Sequence, residues 1–207
     1  MTTDPYDVPP AAGHDAGHDA GYDAGPAEPV PALGTVVEAD RGSLPFALIH
    51  GEALVACAAW ALGEAGVTPI DVGTEWSGLA ASGEPVVLHD ALCPMTPVSF
   101  LADCVAGAVR EDAVVVGVRP VTDTVKSVED GVVGATVDRD ALVSVASPVV
   151  LPPAVVAALD GLPTTDFADL VAALRERFPV VTRQAPPEGR RVTSTDDVRL
   201  LEALTSR

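Results

Sequence analysis

Residues 120–148, PVTDTVKSVEDGVVGATVDRDALVSVASP, are the stretch on which the reading of this chain turns. Two short runs, 124–129 and 132–138, flank Asp130-Gly131. Asp-Gly in that setting predicts a tight hairpin, because a type I′ turn needs φ > 0 at both central residues. With a two-residue loop, Val128 faces Val133 and Thr124 faces Val137. Lys126, Ser127, Glu129, Asp138 and Arg139 make the ribbon too polar for a buried core pair. An isolated hairpin is marginal in water, so this one is expected to lean on something, such as a second copy of the chain. Two readings stand at this point: a solvated surface hairpin, or an arm with site residues at its base.

The sequence on either side of the hairpin supplies its context. Residues 35–39 (TVVEA), 67–72, 85–90 (PVVLHD), 112–118 (DAVVVGV) and 180–182 read as strands. Between them, 52–64, 97–110, 151–159, 165–178 and 196–204 read as helices, with a helical turn near 76–80. Thr96 and Thr195 are the expected N-caps of the second and last helices, and Gly66 is expected to close the first. In 165–178, Phe167, Leu170, Val171, Leu174 and Phe178 recur at helical spacing. Strands alternating with helices predict an α/β domain on a mainly parallel sheet, whose ligands sit beyond the carboxyl ends of the strands. His89-Asp90, residues 119–122 and residues 190–193 are therefore the places to look.

Composition sets the outer bounds. The 207 residues carry a formal net charge of −18, which argues against nucleic acid and anionic membrane as partners. Apolar content is high, but it comes from Ala and Val with few aromatics, so many small contacts should build the core. Cys57, Cys93 and Cys104 are odd in number and have no metal-ligand spacing, which fits a reduced, cytoplasmic protein. No apolar run is long enough to span a bilayer. Residues 1–33, with GHDA-GHDA-GYDA-G and PAEPVPA, are expected to be a disordered acidic tail. His14 and His18 there invite a metal reading, but Gly17 and Gly21 oppose the helix that would align them.

Several segments taken together resemble one family. They are VLHDALCP (87–94), PVTDTVK (120–126), TVDRDAL (136–142), Ser147-Pro148 and RVTSTDD (191–197). In order and spacing, residues 34–207 resemble the 2-C-methyl-D-erythritol 4-phosphate cytidylyltransferases. The resemblance implies a doubly wound, Rossmann-like nucleotidyltransferase fold whose protruding β-hairpin arm, about 122–139, clasps the partner in a homodimer. The implied reaction is attack of a sugar-alcohol phosphate on the α-phosphate of CTP with Mg²⁺ assisting, an in-line displacement that relies on positioning and charge. Asp90 then corresponds to the family's catalytic Asp near the acceptor and metal, and Arg191 stands where the family has a Lys. Thr124 and Arg139 correspond to arm residues that reach the acceptor phosphate from the neighbouring subunit, and Ser147 stands where the family usually has Thr.

On the nucleotide side the sequence departs from the family pattern. The family's long Gly-rich loop, whose backbone N–H groups cradle phosphates, is reduced here to residues 40–46, DRGSLPF. Arg41, Gly42 and Ser43 are what remains to meet a triphosphate, and Phe46 stands where the family has a Lys. Cys93 replaces a family Arg; with no His–Asp support for a nucleophile, it reads as a small residue at the core edge. Each lost charge-assisted contact is worth ~1.5–3 kcal/mol, so two lower transition-state stabilisation by ~10²–10⁴-fold. Two functions follow: a cytidylyltransferase with an unusual triphosphate loop, or a non-catalytic homodimeric relative that keeps an acceptor-phosphate pocket or a scaffold role.

Overall fold

The computed structural model describes residues 30–70 and 73–206. Most of the expected tail, including His14 and His18, lies outside the described residues, as do Asp71 and Val72 at the end of the expected second strand. The first strand, β1, runs from Ala32 to Val37, three residues ahead of its expected start, and its first residue is buried. A short 3-10 turn, Leu44–Phe46, leads to a small ribbon of β2 (Leu48–Ile49) and β3 (Glu52–Ala53). Then come α1 (Leu54–Glu64), β4 (Val67–Pro69), α2 (Trp76–Ser82), β5 (Val86–Asp90) and α3 (Val98–Glu111). Next are β6 (Val114–Pro120), the hairpin of β7 (Lys126–Glu129) and β8 (Val132–Thr136), and β9 (Val143–Leu151). The chain closes with α4 (Pro153–Ala157), α5 (Phe167–Arg175), β10 (Val180–Gln184) and α6 (Thr195–Thr205).

Six strands form one sheet in the order β10-β6-β9-β5-β1-β4. Three neighbour pairings are parallel (β1 with β4 and with β5, β10 with β6), and β9 runs antiparallel to both β5 and β6. Alternate residues serve opposite faces, as the strand period demands. Val86, Leu88, Val114, Val116 and Val149 pack under α2, α4 and α5, while Val87, Val115 and Val150 pack under α1 and α3. Burial on both faces explains why these strands read as continuous apolar runs.

The central strand β9 was not expected, because Pro148 inside a run argues against an inner strand. Its register with β6 shifts between Val116 and Val118, so that three residues of β9 stand opposite the single Gly117. Pro148, which has no N–H to donate, falls in this irregularity. Gly117 permits it: a Cβ there would overlap the Ser147 backbone carbonyl. With 143–151 in the sheet, the following helix is shorter than expected.

Two caps also differ from expectation. Ser194, not Thr195, caps α6 by accepting from the Asp197 N–H. Thr96 donates instead to the Cys93 carbonyl, and α3 starts at Val98 without a side-chain cap. The hairpin turn has the expected backbone, with φ of 49° at Asp130 and 78° at Gly131, and Val128 pairs with Val133. Beyond that pair the register slips by one, so that Val125, not Thr124, lies opposite Val137. The slip sits at Gly134, where a Cβ would press on the Ser127 hydroxyl at 2.5 Å.

Candidate functional site

Asp90 ends β5, at the carboxyl edge of the sheet, and its side chain is 2% exposed. Three donors hold it there. Oδ1 accepts from Arg41 Nε at 3.2 Å and from the Leu92 N–H at 2.9 Å, and Oδ2 accepts from Arg191 Nε at 3.0 Å. Arg191 is brought over β5 by a third apolar cluster, in which Ile49, Leu54, Leu92, Val192, Val198 and Leu201 lock α6 to the β2–β3 ribbon. Within it the Val192 N–H donates to the Leu92 carbonyl at 2.8 Å.

Below Asp90 the backbone ladder between β5 and β9 ends at Leu88–Val149, and a side chain takes over. Ser147 Oγ accepts from the Asp90 N–H at 2.9 Å and lies 2.6 Å from His89 Nδ1. Ser147 and His89 are both fully buried. With Oγ accepting from Asp90, the hydroxyl proton goes to Nδ1 and the ring proton sits on Nε2, which has no partner among the described residues. The other tautomer would leave two groups unsatisfied, not one. Burial pushes the His89 pKa down to about 4, against a weaker opposing pull from Asp90, so the ring is neutral near pH 7. The Ser147 hydroxyl is thus buried and spent on the Asp90 backbone and the His89 ring, and it fixes the backbone of Asp90.

A cavity of about 290 Å³ opens above Asp90. Arg41, Arg191, Thr193, Asp166 and Phe167 line it, with residues 144–146 of β9. Its charges balance, two arginines against two carboxylates. Asp166 caps α5; the N–H groups of Asp169 and Ala168, then Arg41 and Arg191, hold its carboxyl below the usual range. A larger groove of about 650 Å³ lies between α1 and residues 94–98, but it is mainly apolar and none of the expected site residues lines it. The charged cavity is the better candidate for chemistry on a phosphate.

The expected nucleotide residues divide. Arg41 turns inward over Asp90: besides that carboxylate, its Nη1 donates to the Ala39 carbonyl of its own loop at 2.9 Å and its Nη2 to the Thr165 carbonyl at 3.0 Å. Its guanidinium also lies 5.8 Å from the centre of the Phe167 ring. Gly42 and Ser43 stay outside on the loop and line no cavity with Asp90. Phe46 is 62% exposed. Thr124 and Arg139 do not join Asp90 within one chain; they line a separate hollow of about 380 Å³ at the hairpin base, where Arg139 Nη1 donates to the Thr122 carbonyl. Cys93 is buried and burial raises its thiol pKa strongly, as befits a core residue.

Sequence reasoning missed the Arg41–Asp90 pair, the Thr165 carbonyl, Asp166 and Phe167. These join residues 49 to 124 positions apart, and no local pattern reports them. The role of His89 as the partner of Ser147 was equally hidden, although both belong to quoted motifs.

Comparison with known proteins bears on this site. The family model described as IspD, 2-C-methyl-D-erythritol 4-phosphate cytidylyltransferase, matches residues 72–207, from just before α2 to the last residue. The enzyme of that name from Frankia casuarinae is 41% identical over 127 residues, 59% of this chain and 47% of its own length. The one from Nocardia farcinica is 37% identical over 136 residues, 63% of this chain and 58% of its own length. The chain thus spans about half the length of the curated relatives it matches. Among solved structures, the 2-C-methyl-D-erythritol 4-phosphate cytidylyltransferase of Thermus thermophilus superposes with a TM-score of 0.60 at 24% identity, over 85% of this chain and 98% of that one. The 4-diphosphocytidyl-2C-methyl-D-erythritol synthase of Anaerococcus prevotii gives 0.62 at 14% identity, over 86% and 99%. These likenesses show a shared Rossmann-like nucleotidyltransferase fold. With its fold shared and the family model matching from α2 through the Asp90 strand to Arg191 and α6, the chain belongs to the 2-C-methyl-D-erythritol 4-phosphate cytidylyltransferase family.

Proposed function

We propose that this chain keeps the acceptor half of a cytidylyltransferase site and has a reduced nucleotide half. It binds a phosphorylated sugar alcohol, forms a homodimer through its hairpin arm, and transfers the cytidylyl group of CTP slowly. The observation that carries this reading is the position of Arg41. It is the only base in residues 38–46, and its guanidinium is committed to Asp90, Ala39 and Thr165 rather than held out towards a triphosphate. Glu38 and Asp40 on the same loop further oppose a polyanion.

The acceptor half is better furnished. Arg191 uses only Nε on Asp90; its two Nη groups have no partner among the described residues and are free to meet a phosphate. Asp90, fixed by Ser147 from below, holds Arg191 in place. Thr124 and Arg139 lie outside their own chain's cavity, which favours service to a partner's acceptor phosphate. The exposed cross-strand pair Val128 and Val133 offers that partner apolar surface on one face of the ribbon, with exposed Val132 on the other. Mg²⁺, which the family resemblance implies alongside CTP, has no all-protein cage among the described residues. No three His, Cys, Asp or Glu side chains converge among them, so Mg²⁺ on this reading enters with the CTP phosphates. In the family's reaction an acceptor phosphate oxygen attacks the α-phosphorus and pyrophosphate leaves. This chain's residues would contribute positioning of the acceptor and little stabilisation of the leaving group.

The test is calorimetric titration with methylerythritol phosphate, followed by pyrophosphate release with CTP and Mg²⁺. Expected is acceptor binding that Arg191→Ala and Arg139→Ala each weaken, with turnover ~10²–10⁴-fold below an intact family member. Absence of acceptor binding would overturn the retained half-site. Turnover at a full family rate that Asp90→Ala abolishes would overturn the reduced nucleotide half.

A further inference from the structure

We propose that Arg41 stands, in this chain, in the place beside Asp90 where a divalent cation would bind, so that the cavity is an arginine-bracketed anion site with no metal of its own. The inference rests on reading the cavity as the acceptor half-site, and it names the ligand class: a phosphate monoester or similar small oxyanion, taken without a divalent cation.

Two guanidinium groups and a backbone N–H already take three of the roughly four acceptor positions of the Asp90 carboxylate. Mg²⁺ demands near-octahedral oxygen ligands at about 2.0–2.1 Å and gives up its waters reluctantly. The Asp90 carboxylate is 2% exposed, with Arg41 Nε and the Leu92 N–H on one oxygen and Arg191 Nε on the other. A cation on Oδ1 would have to displace Arg41, which is not free to leave, and one on Oδ2 would sit against two fixed guanidinium charges. The Arg41 side chain is 5% exposed, tied to two backbone carbonyls and laid against Phe167. Each neighbouring carboxylate has one oxygen engaged: Asp166 caps α5 through Oδ1, and Asp40 Oδ2 accepts from the Thr165 hydroxyl at 3.3 Å. Fixed cations beside Asp90 also repel an incoming dication.

An anion meets a different surface. Arg191 presents its Nη groups, which have no partner among the described residues, from a side chain 36% exposed, beside Thr193 at the cavity wall. The planar fork suits two oxygens of a phosphate. Arg41 cannot supply that fork, since its donors are turned to protein carbonyls; its part is to hold Asp90, and through Asp90 to hold Arg191.

The test uses the full chain and Mn²⁺ alone as the metal probe, read by the free-ion electron paramagnetic resonance signal without nucleotide or acceptor. The wild type is expected to show no Mn²⁺ site that Asp90→Asn removes; ions held elsewhere on the acidic chain persist in that variant. Arg41→Ala should open such a site, tightening Mn²⁺ binding at least tenfold, and Arg41→Ala with Asp90→Asn should close it again. Arg41→Gln, which keeps a donor for the Thr165 carbonyl, serves if the alanine variant does not fold. A wild-type Mn²⁺ site lost in Asp90→Asn, or no gain in either Arg41 variant, overturns the proposal. In a second arm, inorganic phosphate titrated by calorimetry should bind within twofold equally in EDTA and in Mg²⁺, and lose at least tenfold in Arg191→Ala; a tenfold gain from Mg²⁺ also overturns it. Neither arm involves CTP or turnover, so failure here is distinct from failure of the cytidylyltransferase reading.

Discussion

Replacing Ser147 with Ala removes one oxygen atom and strips partners from two buried groups at once. Ser147 and His89 are 0% exposed and Asp90 1%, so no solvent replaces the lost hydroxyl. The Asp90 N–H loses its acceptor and His89 Nδ1 its donor, on a ring whose Nε2 is already unpartnered. Each buried polar group left unsatisfied costs about 1–3 kcal/mol, so the substitution should destabilise by about 2–6 kcal/mol. In a domain of this size that lowers Tm by roughly 4–24 °C. Urea unfolding followed by tryptophan fluorescence measures it, because half-buried Trp76 donates to the Val156 carbonyl and reports on the α2–α4 face. Crossed with His89→Leu, the double variant should cost at least ~1 kcal/mol less than the two single losses added together. A Ser147→Ala protein within about 0.5 kcal/mol of wild type, or strict additivity with His89→Leu, would refute the Asp90–Ser147–His89 chain.

Stability should also fall with acid in a way that His89 dictates. The unfolded ring takes a proton near its ordinary pKa of 6.5 and the folded ring only near 4, so the unfolded state binds more protons between these values. About 3 kcal/mol is lost from pH 7 to pH 4, and His89→Leu should flatten that interval in urea midpoints measured across it. At lower pH the depressed carboxyls of Asp166 and Asp197 add to the loss in the same direction. Gly117→Ala should cost about 1–3 kcal/mol or more, since the new Cβ meets the Ser147 backbone and not a flexible side-chain end; chemical denaturation checks it. On the dimeric reading, Val132→Asp with Val133→Asp should leave thermal unfolding of the main domain nearly unchanged but give a monomer in light scattering. A dimer that survives both changes would move the interface away from the arm.

Much of this molecule could be read from local pattern. The buried runs at Val86 and Val114, the Asp130-Gly131 turn and the α5 periodicity each record a constraint that acts within a few residues. Asp90 and Arg191 could be singled out for the same reason, since each sits in a short motif at the carboxyl edge of the sheet. The β9 strand was hidden because the features that permit it are split between Pro148 and Gly117, which meet only when the sheet forms. The one-residue slip in the hairpin depends likewise on the pairing of Gly134 with Ser127 across the turn.

The sequence by itself therefore determined the α/β class and the hairpin, and named three of the four charged side chains that line the cavity, Arg41, Asp90 and Arg191 but not Asp166, because period, turn chemistry and side-chain type are local properties. Tertiary structure alone decided what those charges do. Arg41 could have faced a triphosphate from its loop. Closing β1 against β5 puts the loop beside Asp90, and α5 brings the Thr165 carbonyl and the Phe167 ring within reach. A buried carboxylate must find compensating charge and donors, and the fold supplies them by turning that arginine inward.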